Sequence, residues 1–295
     1  MQIGIAGTGR MGAAIATRLL DRRHTVMIWN RTAEKTKSLA AAGATVAATP
    51  QGLSTAVDCI ITMLTDAAAI DATYQGQNGL LVGKVRGKLF IDMSTVRPEV
   101  EIALAAKVRE KGAALIECPV GGTVGPAKEG KLFGFVGGDA GDVARAKPVL
   151  DELCRRVEHV GAVGAGASMK LAINLPLLVY YQALGEALSL CRSLDIAPAR
   201  LIDIFADTSG GPNMLKVRGP AIAATLQGKE TTPVTFDVDL IRKDLRIMLE
   251  EAAALGVSLP LTARALECYD AAARDGLGAS DATMLPAHWL RESGR

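Results

Sequence analysis

The sequence predicts an α/β domain built on a mainly parallel sheet, joined through a long helix to an all-helical domain. Three observations carry this. Short β-branched runs alternate with amphipathic helical ones as far as about Gly161, only helical periodicity follows, and a glycine-patterned turn, GTGRMG, stands where the first strand meets the first helix.

In chain order, QIGIAG reads as a strand, MGAAIATRLLDR as a helix, HTVMIWN as a strand and AEKTKSLAAAG as a helix. DCIITML and KLFIDMS are the next strands, PEVEIALAAKVREKG is a helix, and AALIECP, KLFGFVGG and a short VEHVG complete the sheet. Past the Gly/Ala-rich GAVGAGAS come helices at 167 to 193, after Pro198, near Pro220, at 237 to 255 and at 261 to 274. The first of these exceeds the average soluble helix of about 12 residues and is read as the connection between domains 1–163 and 164–295.

Composition narrows the function classes. At 295 residues the chain can bury the cores of two ordinary domains. Its 33 Lys and Arg against 31 Asp and Glu give no bulk charge for nucleic acid or an anionic membrane, so the expected partner is a small molecule. Five scattered cysteines without a CxxC pair, and only three histidines, speak against a disulfide framework or a Cys/His metal site and for the reducing cytoplasm. The first strand begins at residue 2, leaving no room for a signal segment ahead of it. The most apolar window, Leu171 to Leu184, is about 14 residues long, includes Asn174 and Gln182, and is read as too short for a membrane span.

The turn formed by Gly7, Thr8, Gly9, Arg10, Met11 and Gly12 is G-x-G-x-x-G between a strand and a helix, the context in which it binds a dinucleotide in a Rossmann-type domain. Gly7 permits the tight turn, Gly9 lets the backbone approach a pyrophosphate, and Gly12 lets helix and strand pack closely. At the end of the second strand, where NAD-binding sites usually offer a carboxylate to the ribose, the sequence reads Asn30, Arg31, Thr32. A guanidinium flanked by neutral hydrogen-bonding groups suits a 2′-phosphate, so NADP(H) is favoured over NAD(H).

Two further segments fall at strand ends, where open α/β sheets present ligands. IDMST ends in Ser94 and Thr95, whose hydroxyls either meet the nicotinamide ribose or substrate, or cap the helix that opens at Pro98. In ECPVGGTVGPAKEG, the adjacent Gly121 and Gly122 allow backbone N–H groups to converge on an anion such as a carboxylate; the alternative is a flexible loop. Lys170 stands at the edge of the long apolar helix, with Asn174 at i+4 on the same face. There an ammonium can stabilise developing oxygen charge and deliver a proton in reduction, or act as base in oxidation after burial lowers its pKa. The other reading of Lys170 is a solvated helix end. His159 is read as structural.

With these segments in order, the chain resembles the β-hydroxyacid dehydrogenase family, which includes 3-hydroxyisobutyrate dehydrogenases, tartronate semialdehyde reductases and glyoxylate/succinic semialdehyde reductases. The resemblance runs nearly end to end, through GTGRMG, IDMST, CPVGGTVGPAKEGKLFGFVGG, GAGASMKLAIN, FDVDLIRKDLRIML and DGLGASD. It implies that Lys170 is catalytic, that Asn174 orients it and the substrate, and that the Gly121-Gly122 loop receives the substrate carboxylate. It also implies that Met63, Leu64, Thr95 and Lys243 touch the cofactor, and that the chain forms a homodimer or homotetramer.

Four positions depart from the family pattern. Gly121 stands where a serine is usual and Thr123 where the second glycine is usual, so the carboxylate must rely on backbone N–H groups, Thr123 or Ser94. Ile173 replaces an asparagine common three residues after the lysine, making that side more apolar, and Pro176 removes a backbone bond in the first turns of the helix. The expected activity is NADP(H)-dependent interconversion of a short 3-hydroxy acid and its semialdehyde. The alternatives are an imine reductase of the same architecture, which usually lacks the lysine, and a non-catalytic nucleotide-binding protein, in which the lysine would be lost.

Overall fold

The computed structural model describes residues 1–230 and 233–292 and divides into two compact units, Met1–Leu171 and Ala172–Arg295. The first turns of the long helix, Ala165–Leu190, therefore go with the α/β unit rather than with the helical one.

The first unit holds one sheet of nine strands: β1 (Gln2–Ala6), β2 (Thr25–Trp29), β3 (Thr45–Val46), β4 (Cys59–Thr62), β5 (Leu89–Asp92), β6 (Ala114–Glu117), β7 (Val120–Gly121), β8 (Leu132–Gly137) and β9 (Cys154–Gly161). Their order is β3-β2-β1-β4-β5-β6-β8-β7, with β9 also paired to β8. From β3 to β6 all pairings are parallel, while β8 runs antiparallel to β6 and β7. The chain leaves β1 for β2 and β3 on one side and returns to β4 on the other. That reversal opens a crevice at the carboxyl ends of β1 and β4, where such sheets bind ligands.

The period of two decides which side chain goes to which face. Cys59, Ile61, Leu89, Ile91 and Ile116 point to one face, beneath Ile15 and Leu19 of helix Arg10–Asp21 and Val149, Leu150 and Leu153 of helix Ala140–Leu153. Ile60, Phe90 and Leu115 point to the other, beneath Leu53, Ile70, Tyr74, Leu104 and Val108. Both faces are covered, so these strands read as continuous apolar runs, and each fully buried Leu or Ile contributes about 1.5–3 kcal/mol. Strands β3 and β7 escape sequence reading because two residues are too few to show alternation.

Among its described residues the second unit holds helices and no strand. After the long helix come Pro198–Ala206, Asn213–Leu226, Val238–Ala254, Pro260–Ala272 and Leu285–Glu292. Pro176 leaves the long helix uninterrupted. At 26 residues this helix is longer than its 14-residue apolar window, and by length and composition alone it could cross a bilayer, correcting the sequence expectation; 44% of its most apolar stretch is buried within the protein. Leu178, Tyr181, Leu184 and Leu188 are at most 1% exposed, and Tyr269 Oη donates to the Leu178 carbonyl at 2.7 Å.

Asp281, the last residue of DGLGASD, organises the far end of this unit. Its carboxylate accepts from the backbone N–H and hydroxyl of Thr235 (2.8 and 2.9 Å) and of Thr283 (3.1 and 3.0 Å), with Arg218 at 3.6 Å. Burial acts to raise its pKa, but the Thr235 and Thr283 N–H groups and the Arg218 charge together hold it below the usual carboxylate range.

Candidate active site

The glycine turn is built by close contact. Gly7 lies at φ +99° with its N–H donating to the Trp29 carbonyl at 2.9 Å, and a Cβ there would fall 2.3 Å from the Met63 carbonyl oxygen. A Cβ on Gly12 would fall 1.9 Å from the Gly7 carbonyl oxygen, so only glycine lets the helix start against the turn. Gly9 differs: a Cβ there would meet nothing within 4 Å. The helix Arg10–Asp21 has no acidic residue in its first turn and no side-chain cap, leaving its N-terminal N–H groups for an anion. These residues fit a dinucleotide pyrophosphate over Gly9.

Asn30 has a bracing task beside the one its sequence position suggests. Its Oδ1 accepts the Thr8 N–H at 2.9 Å and its Nδ2 donates to the Thr32 carbonyl at 3.0 Å, so it braces the glycine turn against the end of β2. Thr8 is buried, its hydroxyl donating to the Lys35 carbonyl at 3.2 Å. Arg31 and Thr32 are exposed beside this brace, as is Arg10, while Met11 is half-buried. Thr32 begins the turn Ala33–Thr36 without a side-chain cap.

At the ends of β4 and β5 a buried polar network fixes the next two segments. Tyr74 Oη lies 2.9 Å from Thr62 Oγ1, which donates to Asp92 Oδ2 at 2.5 Å, and Asp92 Oδ1 accepts the Ser94 N–H at 2.8 Å. Ser94 Oγ then accepts the Leu64 N–H at 2.9 Å. Ser94, 1% exposed, thus ties IDMST to the turn of Met63 and Leu64, while Thr95 is half-buried. Neither residue caps the following helix, because the N-cap of Pro98–Glu110 is Arg97.

Gly121 is part of β7, opposite Phe133 of β8, so this segment is not a flexible loop. Gly122 takes φ +120°, and Thr123 precedes helix Val124–Glu129 without capping it. Lys170 Nζ donates to the Val120 carbonyl at 2.7 Å, next to Gly121, and the side chain is half-buried. The ammonium therefore belongs to the strand-end group of the first unit and is not merely a solvated helix end. His159 Nε2 lies 2.9 Å from the Gly138 and Gly161 carbonyl oxygens, a structural use.

Sequence reasoning missed three carboxyl groups beneath these segments: Asp92, Glu101 and Glu117. Burial raises all three, and Glu101 is pushed well above its usual range by burial and by neighbouring Asp92. Glu117 is raised to about 7, burial outweighing the backbone N–H groups of Gly164, Gly166 and Ala167 that favour its charge. A carboxyl whose folded value lies above its ordinary 4.5 adds stability that is complete below pH 4.5 and is lost as pH rises through 7. For Glu117 alone that is on the order of 3 kcal/mol. Urea midpoints should fall between pH 5 and pH 8, less steeply in Glu117→Gln; equal slopes in the two proteins would remove Glu117 from the effect.

In the second unit, Asn174 and Lys243 are brought together by a residue the sequence did not single out. Asp244, 4% exposed, accepts from Asn174 Nδ2 at 3.3 Å and pairs with Lys243 Nζ at 2.8 Å. Asp244 is adjacent to Lys243, but its contact with Asn174 spans 70 positions and leaves no local signal.

A parallel sheet whose order reverses beside a glycine turn, with a helix N-terminus behind that turn, defines a dinucleotide-binding domain. Residues 2–161 match the NAD binding domain of 6-phosphogluconate dehydrogenase, and residues 164–288 match the NAD-binding region of NADP-dependent 3-hydroxyisobutyrate dehydrogenase. The chain belongs to the β-hydroxyacid dehydrogenase family. Glyoxylate/succinic semialdehyde reductase 1 of Arabidopsis thaliana is 32% identical over 95% of this chain and 96% of its own length. The 3-hydroxyisobutyrate dehydrogenase of Pseudomonas aeruginosa is 34% identical over 90% of each. Among solved structures, Mycobacterium tuberculosis 3-hydroxyisobutyrate dehydrogenase with L-serine superposes with a TM-score of 0.85 at 27% identity, covering 98% of this chain and 99% of that one. The protein is thus an oxidoreductase of the hydroxyacid dehydrogenase class that uses a nicotinamide cofactor.

Proposed function

We propose that the protein interconverts a short 3-hydroxy acid and its semialdehyde with NADP(H), Lys170 serving as acid or base. The observation that carries this reading is the Lys170 ammonium fixed 2.7 Å from the Val120 carbonyl, beside Gly121, at the carboxyl end of the sheet. When bound, the nicotinamide supplies or accepts the hydride at the substrate carbon. Lys170 is placed to hydrogen-bond the carbonyl oxygen, to offset its growing charge in reduction and to transfer its proton; in oxidation the neutral amine removes the hydroxyl proton. Backbone N–H groups of the Gly121-Gly122-Thr123 segment receive the substrate carboxylate. A serine is absent there, so the substrate carboxylate relies on backbone N–H groups. The test is NADPH consumption over a panel of short semialdehydes; no turnover with any of them would reject this substrate class.

The NADP preference rests on Arg31, exposed just past the end of β2, with no carboxylate at positions 30 to 32. A charge-assisted pair with a 2′-phosphate contributes about 1.5–3 kcal/mol, so Arg31→Ala should weaken NADPH binding roughly tenfold to hundredfold and leave NADH within about threefold. Equal losses for both cofactors in a fluorescence titration would reject the assignment. The reducing cytoplasm is the proposed location, a reading supported by five free thiols.

A further inference from the structure

Glu117 ends β6 and is fully buried. Its Oε1 accepts the N–H groups of Gly164 (2.5 Å) and Gly166 (2.9 Å), where the long helix starts. These are among the donors every helix leaves unpaired at its N-terminus, and a carboxylate is the acceptor such an end favours. The surroundings are fitted to this group: a Cβ on Gly137 would lie 2.2 Å from Glu117 Oε1, and one on Gly166 would lie 3.3 Å from its Cδ. The second oxygen, Oε2, has no hydrogen-bond partner among the described residues.

A local Ser or Asp cap would satisfy the same N–H groups without burying an ionisable carboxyl, which is costly. What a cap from β6 adds is a tie between helix and sheet across 47 positions. Three residues beyond Glu117, the Val120 carbonyl holds Lys170 Nζ at 2.7 Å. The short segment 117–120 thus grips the long helix twice, at its first N–H groups and at its ammonium.

We infer that Glu117 is a positioning residue for the reaction: by fixing the first turn of the long helix against the end of β6, it sets where the Lys170 ammonium sits. This rests on the proposal that Lys170 is the acid/base group. The side chain acts through the helix backbone and touches neither substrate nor cofactor.

The test compares Lys170→Ala, Glu117→Ala, Glu117→Asp and Glu117→Gln with the unaltered protein, using NADPH and the best semialdehyde of the panel. Turnover is expressed per bound NADPH, and the isotope effect is measured with NADPH deuterated at C4. Glu117→Ala should lower kcat about tenfold to hundredfold with NADPH affinity within threefold, and should raise the isotope effect because a displaced ammonium slows the chemical step. Glu117→Gln keeps an oxygen acceptor for both N–H groups and should recover most of kcat. Glu117→Asp draws the acceptor back by one methylene and should fall between, which keeps the test alive if the alanine variant does not fold. Full kcat and an unchanged isotope effect in Glu117→Asp or Glu117→Ala, beside an inactive Lys170→Ala, would overturn the inference alone. An active Lys170→Ala would overturn the lysine proposal and this inference with it.

Discussion

Lys170→Ala should lose about 10²- to 10⁴-fold in turnover while binding NADPH as before, the range a positioned proton donor contributes. The ammonium is oriented by a backbone carbonyl at 2.7 Å. A carbonyl cannot exchange a proton with it, so this contact orients the lysine. Asn30 bonds to Thr8 and Thr32 at the glycine turn while Lys170 bonds to Val120 at β7, which is why cofactor affinity should hold. Direct titration of NADPH fluorescence beside steady-state turnover checks both halves. Retained turnover would remove Lys170 from the chemistry, and lost binding would make it a cofactor ligand.

The second large effect separates two glycines of the same turn. Gly12→Val should weaken NADPH binding by about 100-fold or more and cost about 1–3 kcal/mol of stability, because its Cβ would stand 1.9 Å from a backbone oxygen and must drive helix and strand apart. Gly9→Ala should leave stability within about 0.5 kcal/mol, since the new methyl meets no protein atom within 4 Å and the backbone, at φ −65°, accepts alanine. It should still cost on the order of tenfold in NADPH affinity, because that space is where a pyrophosphate approaches. Thermal unfolding and NADPH titration on both variants read this out. Equal loss of stability in the two would mean that Gly9 is packed, not open.

The sheet and its ligand-facing ends were legible because their signals are local. GTGRMG, the apolar runs and Lys170 at the head of a long helix each declare themselves within a dozen residues. The carboxyl groups were not legible for the opposite reason. Asp92 and Glu117 look like ordinary polar punctuation at the ends of strands, and only the fold shows that one braces Thr62 and Ser94 while the other reaches Gly164. Asn30 and Ser94 were singled out by position, and the fold adds their hydrogen bonds to Thr8 and Leu64, through which both brace the site. The unit boundary follows the same logic, since periodicity ends the sheet near Gly161 but Glu117 and Val120 keep the first turns of the long helix with it.

The most direct measurement is NADPH oxidation followed at 340 nm with short semialdehydes and, in parallel, with cyclic imines, on the protein and on Lys170→Ala. The expected result is turnover of at least one carboxylate-bearing semialdehyde, faster with NADPH than with NADH, no turnover of imines, and loss of activity in the variant. Reduction of imines with the semialdehydes untouched, or semialdehyde turnover indifferent to Lys170, would contradict it.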